Sequence, residues 1–569
     1  MAGKPIIIGV SVVLVVGVVI GLIAGISHYK SGDDENKANK DALNSATKNV
    51  ATICAATTFQ KSCVDTLSPI GNNASATPKD FLAAAINAAV KELQAAMARP
   101  GEAAKGATHP IDKMAVEDCK DLFQSAVADL QASFSAVGDS QMHTVSDREA
   151  ELMNWMSAVI SYSQACADGF DSPTIRSAVS DGILNATQLT DNALAIVGAI
   201  SELLKSFNIP LNTTAGAGAA TSRRLLEGSA DDDVYPLWMP AGDRKLLASG
   251  SHPQPNAVVA KDGSGKYSTI SAALAAYPAN LKGRYVIYVK AGVYHEYVKV
   301  DKKMVNVYIY GDGPRKTIVT GSKSYADGYS VMESPTFSVA GNGFIAKSMG
   351  FTNTAGPEGH QAVALLVQGD RSAFYNCRMD GYQDTLYTLA HHQFYRNCVI
   401  SGTVDFIFGD ASVLIQNCLI IVRKPMDGQF NAVTAQGKEF PHESTGIVIQ
   451  NCRIVPEQKL EPLRFEIESY LGRPWKTYST TIIMESTLGD FIRPEGWSPW
   501  SGSLHIDTLF YREYANRGPG ANTSKRVHWK GYKVITNRNE ALPWTANPFI
   551  QGSQWLKATG IPFFVGLKN

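Results

Sequence analysis

The sequence predicts an all-β right-handed parallel β-helix, preceded by an all-α four-helix bundle and an N-terminal membrane anchor or signal. Three features support this: asparagines that recur about every 20 residues, apolar residues at helical spacing, and a long apolar run near the start. A chain of 569 residues suits two or three domains. We expect the anchor or signal in 1–30, the bundle in 42–207, a linker in 208–255 and the β-helix in 256–569.

The N-terminal segment contains a mostly apolar run, residues 6–26, with Lys4 before it and Lys30 after it. Such a run is long enough to cross a bilayer as a helix. No small-x-small cleavage site follows directly, which favours a signal anchor over a cleaved signal peptide. Either alternative sends the rest of the chain into the secretory pathway, to the cell wall or extracellular space, with membrane contact through this segment only.

The region 42–207 shows apolar stripes with spacings of three and four, as in amphipathic helices that form a bundle. We find no carboxylate pair with histidine, phosphate-binding loop or nucleophile motif in it, so we expect a structural or regulatory domain. The stripes are Phe81, Leu82, Ala85, Ile86, Ala89, Val90 and Leu93; Leu152, Trp155, Met156, Val159 and Ile160; and Leu194, Val197, Ile200, Leu203 and Leu204.

The linker is rich in Ala, Gly, Ser and Asp and contains two similar basic-leucine patches. Arg223 and Arg224 begin the first patch, and Arg244 and Lys245 begin the second. Basic pairs in an exposed linker are typical sites of proteolytic processing. Cleavage at the second patch would release a chain that begins near Ala248.

Cysteines and glycosylation sequons also indicate secretion. The eight cysteines fall into two sets of four and form no CxxC pair, which argues against a zinc site. In an oxidising compartment they are candidates for disulfides. Four N-x-S/T sequons fit the same route; they lie at Asn73, Asn185, Asn212 and Asn522.

The C-terminal half reads as short strands punctuated by Gly and Asx residues, without helical periodicity. Its recurring asparagines suggest a ladder in the turns of a stacked β-coil, with a structural role. The ladder residues are Asn353, Asn376, Asn397, Asn417 and Asn451.

Three polar residues follow the first ladder asparagines at the same offset of eight residues. They are Gln361, Asp384 and Asp405. If the coils stack in register, these residues form a row on one face with neighbours roughly 5 Å apart. At this distance each carboxylate raises the pKa of the other, which is typical of a functional site.

Charge is distributed unevenly along a chain whose net charge is zero. Residues 1–250 contain 19 Lys and Arg against 27 Asp and Glu, whereas residues 251–569 contain 33 against 25. This asymmetry suits either an internal pairing of the halves or a basic domain that binds an acidic polymer.

Five motifs in the C-terminal half resemble, in the same order, those of the plant pectin methylesterase family. The helical region resembles the invertase and pectin methylesterase inhibitor family in its cysteine spacing and helical pattern. An inhibitor-like domain and a basic-leucine linker before the β-helix also match the layout of that family's precursors. The motifs are GVYHE at 292–296, QAVAL at 361–365, YQDTL at 382–386, DFIFG at 405–409 and LGRPW at 471–475.

The resemblance implies a role for each residue of the row. Asp405 would be the nucleophile, and Asp384 would act as proton donor and then as base. Gln361 and Gln383 would donate hydrogen bonds to the oxyanion. Arg473 would pair with Asp405 and hold it ionised.

The resemblance further implies hydrolysis of methyl esters of galacturonan (pectin) to pectate and methanol, in cell wall modification. We expect no cofactor, no metal and no nucleic acid partner. The helical domain would restrain or chaperone the catalytic half until a protease cuts the linker. The substrate-binding residues would be Gln361, Arg473, Trp475, Tyr387, Phe408 and Trp497.

Disulfides are also implied by the resemblance, as Cys54–Cys63 and Cys119–Cys166 in the helical domain and Cys398–Cys418 in the β-helix. We expect Cys377 and Cys452 to be free and buried. Val331, Met332 and Leu366 depart from the residues expected of relatives near the groove, which bears on substrate preference.

Other classes of protein remain as alternatives. Pectate lyases and polygalacturonases are also parallel β-helices. A lyase would need a calcium-binding acidic cluster, whereas a polygalacturonase would use a pair of aspartates to cleave the glycosidic bond. A glutamine in the row with the two aspartates is better suited to donate a hydrogen bond to an oxyanion than to bind a metal ion. No G-x-S-x-G motif supports a serine esterase. An inactive wall-binding scaffold would be favoured if one of the catalytic residues were missing, and none is.

Overall fold

A computed structural model of the protein describes residues 50–201 and 253–568, except 74 and 141. These residues form a helical domain and a β-helical domain. Three predicted features lie outside them: the apolar segment 6–26, the basic pairs of the linker and the sequon at Asn212. Within the two described ranges, no helix combines the length and apolar character needed to cross a bilayer.

The helical domain buries most of the predicted apolar stripes, but Val90 and Trp155 are only half-buried, and Leu203 and Leu204 lie outside the described residues. Its α-helices are α1 (Gln60–Gly71), α2 (Pro78–Ala96), α3 (Arg99–Ala103), α4 (Pro110–Asp139), α5 (Glu149–Asp168) and α6 (Pro173–Gly198). Helix α2 begins with a capping box, in which Thr77 and Asp80 each accept a backbone N–H of the other. Phe81 and Ile86 of α2 and Met156 of α5 are fully or almost fully buried, so the 3.6-residue pattern correctly indicated the core faces.

Both disulfides expected in the helical domain are present, Cys54–Cys63 and Cys119–Cys166. The second joins α4 to the C-terminal end of α5. This end of α5 is therefore held against a neighbouring helix at the point where it reaches the β-helical domain.

The β-helical domain consists of parallel strands that coil through three sheets. Sheet A contains β1 (Ala257–Val259), β2 (Tyr285–Val289), β5 (Val307–Gly311), β8 (Ile345–Lys347), β11 (Ser372–Tyr375), β14 (His392–Arg396), β17 (Ser412–Gln416), β20 (Gly446–Gln450), β23 (Thr480–Met484), β25 (Phe510–Tyr514) and β26 (Tyr532–Ile535). Sheet B contains β3 (Gly292–His295), β6 (Thr317–Gly321), β9 (Gly350–Asn353), β12 (Arg378–Asp380), β15 (Val399–Gly402), β18 (Leu419–Val422), β21 (Arg453–Pro456) and β24 (Thr487–Leu488). Sheet C contains β4 (Val298–Val300), β7 (Phe337–Val339), β10 (Leu365–Val367), β13 (Leu386–Thr388), β16 (Ile407–Gly409), β19 (Asn431–Gln436) and β22 (Ser469–Gly472).

Short helices flank this coil at its N-terminal end, beside β26 and on the outer face of sheet A, where Phe549 and Trp555 pack in one cluster with Ile345, Phe394 and Leu414. They are α7 (Ile270–Ala275), α8 (Arg538–Ala541), α9 (Ala546–Ile550) and α10 (Gly552–Trp555). Inside the coil, aromatic rings stack from one turn to the next, as in the parallel pair Phe374 and Tyr395, whose ring centroids are 4.9 Å apart. Each coil thus adds one layer to a continuous core, and the strands of sheet C are positioned by that core.

The asparagine ladder is present, but it does not include Asn353. Asn376, Asn397, Asn417 and Asn451 all have positive φ values between 52° and 57° at the turn from sheet A to sheet B. The side-chain amide of Asn417 donates to Asn397 at 2.7 Å, and that of Asn451 donates to Asn417 at 2.9 Å. These bonds connect the turns of successive coils.

The equivalent position one coil earlier is Ser348, which also has a positive φ and accepts a hydrogen bond from the amide of Asn376 at 2.9 Å. Asn353 instead ends strand β9 of sheet B, in register with Gly321. The spacing of similar FxN sequences therefore misled the assignment of this one residue.

The predicted Cys398–Cys418 disulfide is wrong. Both residues are free and buried, as are Cys377 and Cys452, which were expected to be free. The backbone N–H of Cys398 donates to Sγ of Cys418, and that of Cys418 donates to Sγ of Cys452, each at 3.2 Å. The four thiols form a column whose side chains run parallel on coils about 4.8 Å apart, whereas a disulfide needs Cβ atoms that converge to about 3.8 Å.

Gly409, the last residue of DFIFG, allows a close approach between coils. Its φ is 122°, and a Cβ at this position would lie 2.1 Å from the carbonyl oxygen of Thr388. We expect Gly409→Ala to destabilise the β-helical domain by roughly 3–5 kcal/mol, measured by thermal unfolding. Gly428 is the control, because its φ is 80° but an added Cβ meets nothing within 4 Å; its alanine variant should lose about 1 kcal/mol. Equal losses in both variants would contradict the close-contact explanation.

Candidate active site

The register of sheet C brings Asp384 and Asp405 to the same position of adjacent coils. Leu386 in β13 pairs with Ile407 in β16, and each aspartate lies two residues before its paired neighbour. Both aspartates have positive φ, 61° and 52°. Their carboxylates are therefore presented in the same direction from coils about 4.8 Å apart.

Gln361 does not share this row. Leu365 pairs with Leu386, which puts Val363 at the position of the aspartates and Gln361 at that of Tyr382. The connection before β10 is lengthened by a turn that contains the 3-10 helix Pro357–Gly359, so the offset of eight residues does not apply to this coil. The prediction of a three-residue row was wrong for the glutamine and correct for the two aspartates.

Both glutamines nevertheless line the same cavity as the aspartates. The backbone N–H of Ala362 donates to the carbonyl oxygen of Gln383 at 3.2 Å, which joins the two glutamine-bearing segments. Neither glutamine side chain forms a hydrogen bond with another residue in the described part of the chain. Their amide groups are therefore free to donate to a ligand in the cavity.

Arg473 binds Asp405 through two parallel hydrogen bonds, as expected from the sequence. Its Nε and one terminal nitrogen lie 2.8 and 2.6 Å from the two carboxylate oxygens. The guanidinium lies against two aromatic rings, with its central carbon 4.3 Å from the ring centroid of Trp500 and 5.3 Å from that of Phe430. A guanidinium restrained on its faces and paired at its edge has little freedom to release the carboxylate.

Burial and charge make the two carboxyls different. Burial raises the pKa of Asp384 well above its ordinary value, and the negative charge of Asp405 raises it further, while Arg473 opposes both effects. Burial also raises the pKa of Asp405, but there the hydrogen bonds and the charge of Arg473 oppose it directly. Proton binding therefore favours Asp384, and ionisation favours Asp405.

Aromatic rings form the wall of the cavity next to the aspartates. The rings of Tyr387 and Phe408 stack with centroids 4.2 Å apart, and Trp475 lies 6.0 Å from Phe408. The cavity has a volume of about 290 Å³. These three aromatic residues lie where the sequence predicted. Val331 and Met332, noted as departures near the groove, also line it.

Trp497 was predicted to contact substrate, and this prediction is wrong. Its side chain is 1% exposed inside the coil, where it packs on Tyr511 and donates to Glu513 at 3.3 Å. Trp500 lines the cavity instead. Sequence reasoning missed Trp500 because only the fold brings it to Arg473.

The helical domain closes the cavity from the other side. Its contribution comes from the end of α5 and the start of α6, through Ala165, Asp168, Gly169 and Arg176. With this domain in place, Asp384 and Asp405 are only 8% and 5% exposed. Little of either carboxyl side chain is therefore accessible from solvent in this arrangement.

Polar contacts fasten the two domains around the cavity. Ser161 donates to a carboxylate oxygen of Asp410 at 2.7 Å, and Asn154 donates to Asp370 at 3.1 Å. A second set pairs acidic residues of the helical domain with histidines of the β-helix. In this set, Asp129 is 3.1 Å from His391 and Asp191 is 3.1 Å from His442.

Glu296 accepts the backbone N–H groups of Ile270 and Ser271 at the start of α7, so its role is structural. The sequons at Asn73, Asn185 and Asn522 are exposed. In the described residues, no group of three or more His, Cys, Asp or Glu side chains is arranged to hold a metal ion.

Comparisons with known proteins agree with both domains. The Pectinesterase family model matches residues 256–553, and the plant invertase/pectin methylesterase inhibitor model matches residues 48–196. Pectinesterase/pectinesterase inhibitor 3 of Arabidopsis thaliana is 39% identical over 574 residues, covering 96% of this chain and 95% of that protein. Pectinesterase 1 of Citrus sinensis is 41% identical over 565 residues, covering 96% of this chain and 92% of that protein.

Among solved structures, pectin methylesterase from carrot is 52% identical with a TM-score of 0.55. The match covers 56% of this chain and 99% of the carrot chain, and so concerns the β-helical part. Fold and site thus define a β-helical esterase domain joined to an inhibitor-like helical domain. The chain belongs to the pectinesterase family.

The raised pKa of Asp384 leads to a prediction about stability. Because the folded protein binds this proton more tightly than the unfolded chain, stability should fall as pH rises from about 4 through the folded pKa. Asn does not titrate, so Asp384→Asn should stabilise the domain relative to its parent, and this gain should grow as the pH rises. Thermal unfolding at pH 5 and pH 8 measures this effect. Asp427→Asn is the control at an exposed carboxylate; a pH-independent effect at Asp384 would contradict the prediction.

Proposed function

We propose that this protein hydrolyses methyl esters of galacturonan by covalent catalysis on Asp405. The observation that carries the proposal is the pair Asp384 and Asp405 on adjacent coils, with Arg473 bound to only one of them. One carboxyl is thereby suited to hold a proton and the other to act as an anion. Ester hydrolysis through an acyl intermediate needs both forms at once.

In the first half-reaction, a carboxylate oxygen of Asp405 attacks the carbonyl carbon of the methyl ester. The amides of Gln361 and Gln383 donate to the oxygen that becomes negative, a contribution typically worth about 2.7–4 kcal/mol per donor. Asp384 donates its proton to the departing methoxy oxygen, and methanol leaves. The products of this step are an acid anhydride on Asp405 and an ionised Asp384.

In the second half-reaction, Asp384 acts as a base. It takes a proton from a water molecule, whose oxygen attacks the acyl carbon of the anhydride. The bond to Asp405 breaks, which releases a galacturonate unit with a free carboxyl and restores the carboxylate. Asp384 is again protonated, so one ester and one water give one acid and one methanol.

The covering helical domain suggests that the uncut chain is restrained. We propose that cleavage at Arg223–Arg224 or Arg244–Lys245 by a processing protease allows the domain to leave the groove. The acidic first half and the basic second half support attraction between the domains before release, and between the enzyme and acidic pectin after it. The disulfides and exposed sequons support a secretory route to the cell wall, with membrane anchoring through 6–26 still a prediction.

The proposed nucleophile can be tested by comparing methanol release by the cut, separated β-helical domain with that of its Asp405→Asn variant. The carrot relative consists of this region, so we expect the domain to fold alone. Methanol release from methyl-esterified pectin should fall by roughly 10³-fold or more, because an amide is a poor nucleophile. Polymer length should not change in either case, which separates an esterase from a lyase or a polygalacturonase.

Asp427→Asn serves as the control for this variant, since it removes an exposed carboxylate of the same domain. It should retain full activity. An Asp405→Asn variant that is folded and within tenfold of the parent would contradict the proposed nucleophile.

Docking of the helical domain on the β-helix should depend on pH through Asp118 in α4. Burial raises the pKa of Asp118 to about 7, although the hydrogen bond that it accepts from Ser330 of the β-helix opposes this rise. The negative charges of Glu333 and Asp121 raise the pKa further, and the positive charge of Lys299 lowers it. An undocked Asp118 regains an ordinary pKa, so the docked state binds the proton more tightly. Docking should weaken as pH rises from 5 through 7, by up to about tenfold per pH unit.

The measurement is light scattering of the linker-cut protein across this pH range. Asp118→Asn should flatten the pH dependence of dissociation, whereas Asp139→Asn, at an exposed position of the same helix, should preserve it. Identical profiles for the parent and Asp118→Asn would contradict the assignment.

A further inference from the structure

An arginine outside the catalytic cavity contacts the segment that carries Gln383. This residue, Arg423, directly follows β18 of sheet B. It lines a separate cavity of about 800 Å³ together with Tyr382, whereas Gln383 and Asp384 line the catalytic cavity. The segment from Gly381 to Asp384 therefore forms a wall between the two cavities, and Arg423 lies on the side that faces away from the catalytic groups.

Arg423 reaches this wall across an intervening coil. The register of sheet B places Tyr382, Thr403 and Arg423 at equivalent positions of three successive coils, two residues beyond the paired residues Asp380, Ser401 and Ile421. Coils about 4.8 Å apart leave roughly 10 Å between the first and the third. Two long side chains together bridge that distance.

Three contacts join Arg423 to the wall. One terminal nitrogen of its guanidinium donates to the carbonyl oxygen of Gly381, and the other donates to the hydroxyl oxygen of Tyr382, each at 2.8 Å. The central carbon of the guanidinium lies 3.8 Å from the ring centroid of Tyr382. A planar group that donates to two oxygens and stacks on a ring has a defined orientation, which a lysine ammonium cannot reproduce.

Arg423 is itself held in place by its own surroundings. Its Nε lies 3.5 Å from Oε1 of Glu457, and the other carboxylate oxygen of Glu457 accepts the backbone N–H of Lys424 at 3.0 Å. The backbone N–H of Arg423 donates to the carbonyl oxygen of Gly402 at 2.8 Å. The side chains of Arg423 and Glu457 are only 22% and 19% exposed. Arg423 therefore belongs to the scaffold and is not a solvated surface charge.

The amide of Gln383 depends on the backbone for its direction. Its side chain forms no hydrogen bond within the described residues. Backbone N–H groups of Thr403 and Ala362 donate to the carbonyl oxygens of Tyr382 and Gln383, at 3.0 and 3.2 Å. The carbonyl oxygen of Gly381, two residues before Gln383, is the acceptor that Arg423 uses. A shift at Gly381 or Tyr382 would thus displace the amide of Gln383.

The second cavity does not by itself indicate a site for an anionic ligand. Two of the arginines that line it are already paired, Arg378 with Asp380 and Arg423 with Glu457. Their charges are therefore largely compensated within the domain. The contacts of Arg423 with Gly381 and Tyr382 direct its effect toward the wall.

We propose that Arg423 is a positioning residue for the oxyanion, and that it acts through the backbone of Gly381 and Tyr382 on the amide of Gln383. The proposal rests on the proposed esterase function. Arg423 lines the outer cavity and not the catalytic one, so it contacts no reacting atom. A donor to an oxyanion acts mainly in the transition state, and its displacement lowers kcat without changing KM.

The test measures kcat and KM for methanol release from methyl-esterified galacturonan by the separated β-helical domain. Arg423→Gln should lower kcat by roughly 10- to 100-fold and leave KM unchanged, because a catalytic group displaced by about 1 Å can lose about 10²-fold in rate. Arg423→Lys keeps the charge but cannot hold both oxygens, so it should restore little. Arg453→Gln is the control at an exposed arginine of sheet B and should change neither value.

A double-mutant cycle with Gln383→Ala separates positioning from a general loss of structure. Because Gln383→Ala removes the amide, adding Arg423→Gln should cause no further loss of kcat. Tyr382→Phe removes only the hydroxyl that accepts from Arg423 and should lower kcat several-fold, again only when the amide is present. This milder variant completes the same cycle if Arg423→Gln does not fold, and thermal unfolding verifies the fold of each variant.

The outcomes separate this proposal from the esterase function. An equal loss of kcat with and without the Gln383 amide, or a raised KM with unchanged kcat, would overturn the positioning role of Arg423. A Gln383→Ala domain with the kcat of its parent would overturn it as well. Absence of methanol release by the folded parent domain would instead overturn the esterase function itself.

Discussion

The in-register stacking of coils is the constraint on which the rest of the β-helical domain depends. Backbone hydrogen bonds between parallel strands fix the spacing of the coils, and the pairing of Leu386 with Ile407 sets the relative position of Asp384 and Asp405. No side chain needs to hold the two carboxyls together, because the sheet does so. The sheet holds the two carboxyl groups closer together than they would remain in water. The negative charge of Asp405 therefore raises the pKa of Asp384.

Arg473 makes this pair asymmetric. It comes from the turn after β22, two coils beyond Asp405, and binds that carboxylate through both oxygens. Trp500 and Phe430 lie on its faces, so its orientation depends on aromatic residues that have no polar role themselves. The same neighbourhood excludes water and raises the pKa of Asp384. A site of this kind combines a rigid scaffold with a dry, charged interior.

The helical domain uses the chemistry of the groove to cover it. Its acidic residues meet cationic or hydrogen-bonding groups of the β-helix, as in the pairs of Asp168 with Lys476 and Asp191 with His442. A galacturonan chain also carries a row of carboxylates. A helical domain with acidic residues can therefore bind the same groove through the same kind of charge interaction. The asymmetry of charge between the two halves of the sequence thus has a structural counterpart at the interface.

The sequence by itself determined the helical bundle, the β-helix and the pairing of Asp384 with Asp405, because repeat length and apolar periodicity are local properties of the chain. It could not place Gln361, since an added turn around Pro357 breaks the repeat. It also could not distinguish Trp497 from Trp500, or parallel thiols from a disulfide at Cys398. Those questions depend on which side chains face the groove and how neighbouring coils align, and only the tertiary structure decides that, because packing between distant segments leaves no local pattern.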